Sequence, residues 1–249
     1  MKKEHISFAN EEYYKSLDLL EKTSLEIGKV DSFIRYTQEE LKTTEFWNKN
    51  LFILSKPRGC GYWCWKPQII LKTFETLETG DVVLYSDAGL KVIDNLNPLF
   101  EIMIERHPNK GKIIFRVPWV GLQHIAKIWT KRDCFVLTEA DESKFWNAPM
   151  TNGAISLWEK NDDTIEFLKI WQRYLRDSRI VTDDPIMCGR PNFLEFKDHR
   201  HDQSVLTILS VKNNFELFRD PTQYGNEEKS LFSNSNYEQL FYHHRNFKH

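Results

Sequence analysis

The sequence predicts an α/β fold with a mostly parallel central sheet. Short apolar segments alternate with helical patterns along the first half of the chain. Strands that are separated by helices at this spacing are joined by crossover connections, which favour a parallel arrangement. The 249 residues contain no repeat and no linker-like stretch. We therefore expect one domain over 1–249, with a regular N-terminal half and a more irregular C-terminal half.

The N-terminal half carries the clearer periodicity. Apolar residues recur at helical spacing after Tyr13, and Pro67 suits the first position of a helix, which needs no N–H. The pair Gly80-Asp81 ends this second helix. In chain order we predict a strand at Ile6–Phe8, a helix from Tyr13 to Leu25, a strand at Val30–Tyr36, a helix from Pro67 to Leu77 and a strand at Val82–Tyr85.

The C-terminal half contains shorter and less regular segments. Asn161 is a candidate cap for a helix whose apolar positions recur from Ile165 to Leu175. Asp202 precedes another apolar run and is a candidate cap in the same way. We predict strands at Ile113–Val117, Cys134–Leu137 and Ala154–Leu157.

Composition excludes several classes of protein. The 34 basic and 36 acidic residues give a net charge of −2, so we expect no nucleic-acid partner. No apolar run approaches the roughly 20 residues of a membrane span. The cysteines Cys60, Cys64, Cys134 and Cys188 lack zinc-finger spacing, and we interpret them as reduced thiols. Aromatic residues make up 14% of the chain, which suits a dense core or contact with sugars and bases.

Residues that follow the predicted strands are the first candidates for a binding site. In open α/β sheets, ligands bind beyond the carboxyl ends of the strands. Ser86, Asp87, Ala88 and Gly89 follow the third strand. A carboxylate before two small residues lets a phosphate or ribose approach the backbone and can hold a divalent cation. The alternative is that Asp87 only caps a turn.

The run Arg58–Pro67 (RGCGYWCWKP) combines two glycines, two tryptophans and two nearby cations at the start of a predicted helix. A helix N-terminus beside Arg58 and Lys66 is a candidate diphosphate site. The alternative is an aromatic plug that packs the helix onto the sheet while both cations reach water.

Two further clusters lie towards the end of the chain. His199–Gln203 groups proton-transfer and hydrogen-bonding side chains, with Asp202 alternatively a helix cap alone. Phe241–Asn246 sets two histidines and an arginine beside aromatic residues, which indicates a docked tail with a metal or phosphate ligand. We interpret the remaining basic cluster as a solvated loop formed by Arg106, His107, Lys110, Lys112 and Arg116.

In their order along the chain, these motifs resemble bacterial and viral glycosyltransferases of the GT-A fold. The segments that carry the resemblance are Gly61–Pro67, Gly80–Gly89, Asn152–Leu157 and His201–Gln203. The third is similar to the Asn-x-Gly strand of that family, and the fourth to its Asp-Gln motif. The resemblance implies a GT-A-like, Rossmann-related domain, with a nucleotide-sugar-binding half at 1–110 and an acceptor-binding half with a closing tail at 111–249.

The resemblance implies transfer of a sugar from a nucleotide sugar, with UDP favoured over GDP. Asp87 matches the first carboxylate of the family's Asp-x-Asp motif, which holds the ribose and Mn²⁺ or Mg²⁺. Gly89 replaces the second carboxylate. Either His243 or His244 of the tail therefore completes the metal site, or the reaction needs no metal. The implied donor-binding residues are Ala9, Asn10, Arg58, Lys66, Ser86, Asp87, Ala88, Gly89 and Arg245.

The implied acceptor is a hydroxyl of a glycan, lipid-linked or protein-linked substrate. Asp202 would take the proton of this hydroxyl or stabilise the cationic sugar, and Gln203 would orient the sugar hydroxyls. Asp141 and Glu142 are the reserve candidates for the carboxylate. The similarities to the family favour retention of the anomeric configuration. The implied sugar-binding residues are Trp119, Asn152, Gly153 and His201.

Two alternative functions stay open at this stage. A sugar nucleotidyltransferase normally carries a basic, glycine-rich loop after the first strand, where this chain has the acidic segment Ala9–Glu12. A non-catalytic carbohydrate-binding module is supported only by the aromatic content. We expect a cytoplasmic protein, with peripheral association at the inner face of a membrane as an alternative.

Overall fold

The computed structural model of the protein describes residues 1–118 and 124–244. The strands are β1 (Lys3–Ala9), β2 (Ser32–Thr37), β3 (Val82–Ser86), β4 (Leu90–Val92), β5 (Lys112–Arg116), β6 (Thr151–Glu159), β7 (Leu217–Phe218) and β8 (Phe241–His243). The helices are α1 (Tyr14–Glu26), α2 (Gln38–Lys42), α3 (Glu45–Lys49), α4 (Leu51–Leu54), α5 (Gly59–Tyr62), α6 (Lys66–Phe74), α7 (Asn97–Arg106), α8 (Ala126–Trp129), α9 (Arg132–Leu137), α10 (Ser143–Trp146), α11 (Asp162–Leu175), α12 (Ser178–Val181) and α13 (His201–Lys212). Short 3₁₀ helices span Glu11–Tyr13, Pro108–Lys110 and Gln223–Leu231. Among the described residues, none of these helices has both the length and the apolar character that crossing a bilayer requires.

The six-stranded central sheet has the order β2-β1-β3-β6-β5-β7. β1 pairs in parallel with β2 and β3, and β5 pairs in parallel with β7. β6 runs antiparallel to both of its neighbours, β3 and β5. The predicted α/β class with a mostly parallel sheet is therefore confirmed. Because β6 is reversed, its first residues lie at the edge of the sheet where β3 and β5 end.

Both faces of the sheet are covered, which explains why β3 is apolar throughout. Val83 and Tyr85 face the layer formed by α6, α11 and α13. Val82 and Leu84 face the opposite layer, which includes α7. Successive residues of a strand point to opposite faces, so a strand buried on both sides loses the alternation of apolar and polar residues.

Most of the predicted elements are found, with shifted ends. The second strand begins at Ser32, two residues later than predicted, and Asn161 caps α11 by accepting a hydrogen bond from the N–H of Thr164. The predicted strand Cys134–Leu137 is wrong, because these residues lie in α9. A run of four apolar residues suits a buried helical turn as well as a strand, and periodicity does not separate the two.

The basic cluster is a solvated segment only in part, because Arg106, His107 and Lys110 are exposed whereas Lys112 and Arg116 lie in β5. Lys112 is fully buried, and its Nζ lies 2.7 Å from Asp163 Oδ2. The other members are each paired with an acidic side chain as well: Arg106 with Glu216, His107 with Glu159, Lys110 with Asp163 and Arg116 with Glu228. Each pair joins residues that are far apart in the sequence. These acidic partners balance the positive charge of the cluster.

The buried side chain of His5 links β1 to α1 and to β3 by hydrogen bonds. The ring of His5, on β1, hydrogen-bonds to Ser24 Oγ of α1 through Nδ1 and to Ser86 Oγ of β3 through Nε2, each at 2.8 Å. Burial lowers the pKa of His5 to about 3. In the unfolded chain, His5 begins to bind a proton near pH 6.5. In the folded protein the ring is still neutral at that pH.

This linkage predicts an acid-sensitive component of stability. Below pH 6.5 the unfolded state binds a proton at His5 that the folded state does not, so the free energy of unfolding falls as the pH falls. Between pH 6.5 and pH 5, this residue accounts for about 2 kcal/mol of that loss. Urea unfolding of wild type and His5→Gln at both pH values measures the difference. Equal losses in wild type and His5→Gln would contradict the assignment.

Candidate functional site

A cleft opens at the carboxyl ends of β1 and β3. The backbone N–H of Asp87, just after β3, donates to the carbonyl of Ala154 on β6 at 2.9 Å, which anchors the loop to the sheet. The cleft consists of two adjoining cavities of about 510 Å³ and 420 Å³. Trp63, Asp87 and His243 line both of them and form the junction.

The larger cavity, here called the aromatic cavity, is walled by rings and small residues. Phe8 stacks on Trp65 with 3.8 Å between ring centroids, and these two rings form part of the wall together with Tyr85. Five of the predicted donor-binding residues line the same cavity: Ala9, Asn10, Asp87, Ala88 and Gly89. Ser86 is fully buried behind them and bonds to His5 instead. A flat, weakly polar ligand suits this space.

The smaller cavity, here called the polar cavity, gathers most of the remaining predicted residues. Its charged and hydrogen-bonding residues are Arg58, Lys66, Asp87, His124, Asn152, Arg200, His201, Asp202, Gln203, Asp220, Tyr224 and His243. Side chains from both halves of the chain therefore meet in one space. Trp119 and Arg245 lie outside the described residues.

Lys66 lies at the centre of the polar cavity wall. Its residue is only 3% exposed, and its Nζ lies 2.8 Å from Asp202 Oδ2 and 3.7 Å from Asp87 Oδ1. The same ammonium donates to the carbonyl of Gly153 at 2.7 Å. Lys66 therefore connects the start of α6 to β6, to α13 and to the loop after β3. In this arrangement its hydrogen bonds go to the protein rather than into the open cleft.

Burial and pairing set the protonation states of these groups. Burial lowers the pKa of Lys66, but the attraction of Asp202 and Asp87 outweighs that effect and raises the pKa above its ordinary value. Burial raises the pKa of Asp202 to about 6, although Lys66 acts in the opposite direction. At neutral pH the pair is a charged lysine and an ionised carboxylate of increased basicity.

Asp87 is the more open of the two carboxylates, with 34% of its side chain exposed. The hydroxyl of Tyr85 donates to its Oδ1 at 2.6 Å. Burial raises the pKa of Tyr85 far above its ordinary value, so the phenol keeps its proton and remains a donor. These contacts hold one oxygen of Asp87 in place at the junction of the two cavities.

The tail brings one of its two histidines to this junction. β8 pairs antiparallel with β4, and His243 is opposite Leu90. A Cβ atom at Gly89 would lie 3.9 Å from Cε1 of His243, an ordinary contact distance, so the imidazole lies beside the position of the absent second carboxylate. His244 is buried, and its backbone N–H donates to the carbonyl of Gly89, whereas its side chain lines neither cavity.

Two residues at the junction are of types that bind metal ions. In 1–118 and 124–244, no three His, Cys, Asp or Glu side chains form a group that could hold a metal ion. Asp87 and His243 line the same junction, and carboxylate oxygen and imidazole nitrogen are ligands that suit Mn²⁺. A metal ion bound between these two side chains would need its remaining ligands from outside the described residues.

Arg58 is not free to move into the cleft without losing partners. Its guanidinium bonds to Asp198 at 2.8 Å and to Asp183 at 3.1 Å. The five residues that follow, Gly59–Trp63, all have positive φ, and α5 is therefore a left-handed turn. A Cβ at Gly59 would lie 2.4 Å from the ring of Trp63, and one at Gly61 would lie 2.6 Å from the Cα of Leu54. The glycines permit the turn that places Trp63 at the junction.

The remaining predicted residues lie where α13 meets β6. The side-chain amide of Gln203 donates to the carbonyl of Thr151 at 2.8 Å. A Cβ at Gly153 would lie 3.2 Å from Gln203, so glycine permits the close approach of the helix. Asp202 is not the cap of α13, because Arg200 precedes the helix and Asp202 lies within its first turn.

Asp220 lines the polar cavity and was not predicted to do so. Asp220 follows β7 and accepts a hydrogen bond from Asn152 Nδ2 at 2.5 Å. The sequence feature that could have indicated Asp220 is its position just after a strand. However, β7 has only two residues and is too short to recognise from sequence. The reserve candidate Asp141 is paired with Arg132 and Arg190, and neither Asp141 nor Glu142 lines either cavity.

Comparison with known proteins finds a likeness at the level of structure. No protein-family model matches the chain, and no curated protein sequence matches it. The structure of mouse xyloside xylosyltransferase 1 in its apo form matches with a TM-score of 0.55 and 12% identity, covering 100% of this chain and 99% of that chain. A glycosyltransferase involved in the glycosylation of the major capsid of PBCV-1 matches with a TM-score of 0.47 and 14% identity, covering 100% and 96% of the two chains. The first likeness shows that this chain has a fold found in a glycosyltransferase.

The ion pair between Lys66 and Asp202 predicts that substitutions of these two residues have coupled effects on the free energy of unfolding. Lys66→Met leaves Asp202 buried without its partner and should lower the free energy of unfolding by about 3–5 kcal/mol. Lys66→Met combined with Asp202→Asn removes both charges and should recover much of that loss. Urea unfolding of the single and double variants measures the coupling. Additive effects of the two substitutions would show that the pair does not act as a unit.

Proposed function

We propose that the protein transfers a sugar from a nucleoside diphosphate sugar to a hydroxyl of a glycan, lipid-linked or protein-linked acceptor. The observation that carries the proposal is the pair of cavities that meet at Asp87, one aromatic and one polar, with the Lys66–Asp202 pair in the polar wall. A nucleotide sugar has the same division into a flat base and a polyhydroxyl ring. The fold shared with a glycosyltransferase supports this proposal and is consistent with a GT-A-like arrangement.

The nucleoside is assigned to the aromatic cavity. Rings such as Trp65 and Tyr85 offer apolar surface to a base, and Asn10 offers an amide at the end of β1. Ala88 and Gly89 carry little or no side chain, so a diphosphate can approach the backbone after β3. A uridine nucleotide is the favoured donor, and a guanosine nucleotide is the alternative.

Asp87 and His243 would hold a divalent cation, Mn²⁺ or Mg²⁺, at the junction. When bound, such a cation stabilises the negative charge that develops on a departing diphosphate. Tyr85 prepares the site by fixing one oxygen of Asp87, and Lys66 adds positive charge 3.7 Å from the same oxygen. Arg58 and Arg245 are further candidate cations, with Arg58 already bonded to Asp183 and Asp198.

Asp202 is the proposed catalytic carboxylate. It lines the polar cavity, is ionised at neutral pH and has a basicity that burial increases. Such a group either takes the proton of the acceptor hydroxyl or stabilises the cationic sugar. Lys66 positions it by a 2.8 Å contact, and Gln203 contributes to the same wall. The Asn-Gly and Asp-Gln motifs make retention of configuration the expected outcome.

Donor binding is the direct test of the proposal. We expect isothermal titration to show binding of UDP, tightened by Mn²⁺, with GDP and CMP as comparisons. Asp87→Asn should abolish the effect of Mn²⁺ with a smaller loss of stability than Lys66→Met, because asparagine keeps an oxygen that accepts from Tyr85 and Lys66 keeps Asp202. The exposed Asp162→Asn is the matched control. Failure of all three nucleotides to bind would contradict the proposal, and pyrophosphate release from a nucleoside triphosphate would favour a nucleotidyltransferase.

Asp202 should control turnover more than donor affinity. Asp202→Asn should lower kcat by about 10²-fold or more, with little change in the Kd for UDP. In the wild type, kcat/KM should fall as the pH decreases through about 6, because protonation removes the base. The groups that face Asp202 are Lys66 and Asp87, together with the neutral Tyr85 and Cys64. A loss of UDP binding without a loss of turnover would indicate a structural role for Asp202.

A further inference from the structure

Asp220 is a buried carboxylate that connects the loop after β7 to β6. The residue is only 2% exposed, and each of its two oxygens accepts a hydrogen bond from an N–H group of the protein. Oδ2 accepts from the side chain of Asn152 at 2.5 Å, and Oδ1 accepts from the backbone of Thr222 at 2.7 Å. Asp220 and Asn152 both line the polar cavity. The two residues therefore form one hydrogen-bonded unit in the cavity wall.

The loop that follows β7 fixes the position of Asp220. The backbone carbonyl of Thr222 accepts from the N–H of Gly225 at 3.1 Å, which closes a tight turn. A Cβ atom at Gly225 would lie 2.0 Å from the backbone oxygen of Asp220, so this turn requires glycine. The carbonyl of Pro221 accepts from the N–H of Phe241 at 3.0 Å, which ties the loop to β8. The carboxylate is therefore held from both sides of the loop.

Two partners of opposite character fix the orientation of the Asn152 amide. Its Oδ1 accepts from the backbone N–H of Ala154 at 2.6 Å, and its Nδ2 donates to Asp220. The backbone N–H can only donate, and the Asp220 oxygen accepts. Exchanging the oxygen and nitrogen of the amide by a rotation would therefore break both hydrogen bonds. Because Nδ2 carries two hydrogens and Asp220 takes one of them, the amide retains one N–H.

The retained N–H of Asn152 lies near the junction of the two cavities. Asn152 is half-buried and lines the polar cavity, and within 1–118 and 124–244 its Nδ2 has no partner besides Asp220. Two residues further along β6, the carbonyl of Ala154 accepts from the N–H of Asp87 at 2.9 Å. In the proposed function, the diphosphate lies beside Asp87. The group that the diphosphate carries is therefore the part of the donor molecule closest to Asn152.

We propose that Asp220 is a positioning residue, which holds the Asn152 amide so that its remaining N–H donates to an oxygen of the group carried by the diphosphate. Asp220 acts through Asn152 and does not itself touch the substrate. This inference rests on the proposed function and adds to it a residue and a hydrogen-bond polarity. A substrate group with only N–H donors is disfavoured at this position, because it would face another donor.

Exchanging the two side chains separates this role from a structural one. In the double variant Asn152→Asp with Asp220→Asn, the amide at position 220 donates to the carboxylate at position 152 and still accepts from Thr222. The carboxylate at position 152 also still accepts from Ala154. The hydrogen bonds within the protein and the net charge are therefore kept. Only the group offered to the substrate changes, from an N–H to an oxygen lone pair.

Isothermal titration with UDP, UDP-glucose, UDP-galactose and GDP-mannose measures the effect, and urea unfolding measures stability. The exchange variant should unfold like the wild type and bind UDP equally well, because Asn152 does not line the aromatic cavity. It should bind the nucleotide sugars at least about 10-fold more weakly. Asp220→Asn alone should lower both the urea midpoint and the affinity for nucleotide sugars, since its amide places a donor against Asn152 or Thr222. The control is Asn161→Asp, which adds a carboxylate at the helix cap after the other end of β6.

Wild-type affinity for nucleotide sugars in the exchange variant would overturn the inference, because only the internal hydrogen bonds would then matter. A measurement on the unaltered protein does not depend on the folding of any variant. In ¹⁵N-labelled wild type, a nucleotide sugar should shift the side-chain amide signal of Asn152, whereas UDP alone should not. A signal that none of the bound nucleotide sugars moves would equally overturn the inference. Absence of binding of every nucleotide to the wild type is a separate result, which contradicts the proposed function itself.

Discussion

The cleft depends on a single buried ammonium group. Lys66 reaches Asp202 on α13, the carbonyl of Gly153 on β6 and Asp87 after β3. A buried charge is tolerated only when it is paired and hydrogen-bonded, so these partners must assemble around the lysine as the chain folds. The same contacts that satisfy the lysine place two carboxylates on one wall of the polar cavity. Stability and site geometry therefore depend on the same interaction.

The reversed strand β6 makes this assembly possible. In a wholly parallel sheet, the first residues of a strand would lie at the edge opposite to the carboxyl ends of its neighbours. Because β6 is antiparallel to β3 and β5, Asn152 and Gly153 instead lie beside Asp87. Residues from the two halves of the chain therefore meet in one cleft. Gly153 then allows α13 to approach closely enough for Asp202 to reach Lys66.

The two cavities differ in the chemistry of their walls. The aromatic cavity offers ring faces and small residues, which suit a base and an adjacent diphosphate. The polar cavity is lined by charged groups that are paired within the protein, among them Lys66 and Arg58. In the proposed function, the phosphate-bearing part of the ligand would lie beside Asp87 and His243, at the junction of the two cavities.

Local pattern alone predicted the α/β class and most elements, because burial on two faces makes β3 apolar and helical spacing marks α1, α6 and α11. It also made Asp87, Lys66 and Asp202 candidate site residues, since strand ends and helix starts are recognisable locally, and all three line the polar cavity. It did not predict the partners of these groups: Lys66 and Arg58 were expected at a diphosphate, and the structure pairs them with aspartates. The helical state of Cys134–Leu137 and the neutralised basic cluster were likewise decided by contacts far apart in sequence. The tertiary structure alone determines which charges are buried together, because the electrostatic cost of burial depends on neighbours that only the folded chain brings into contact.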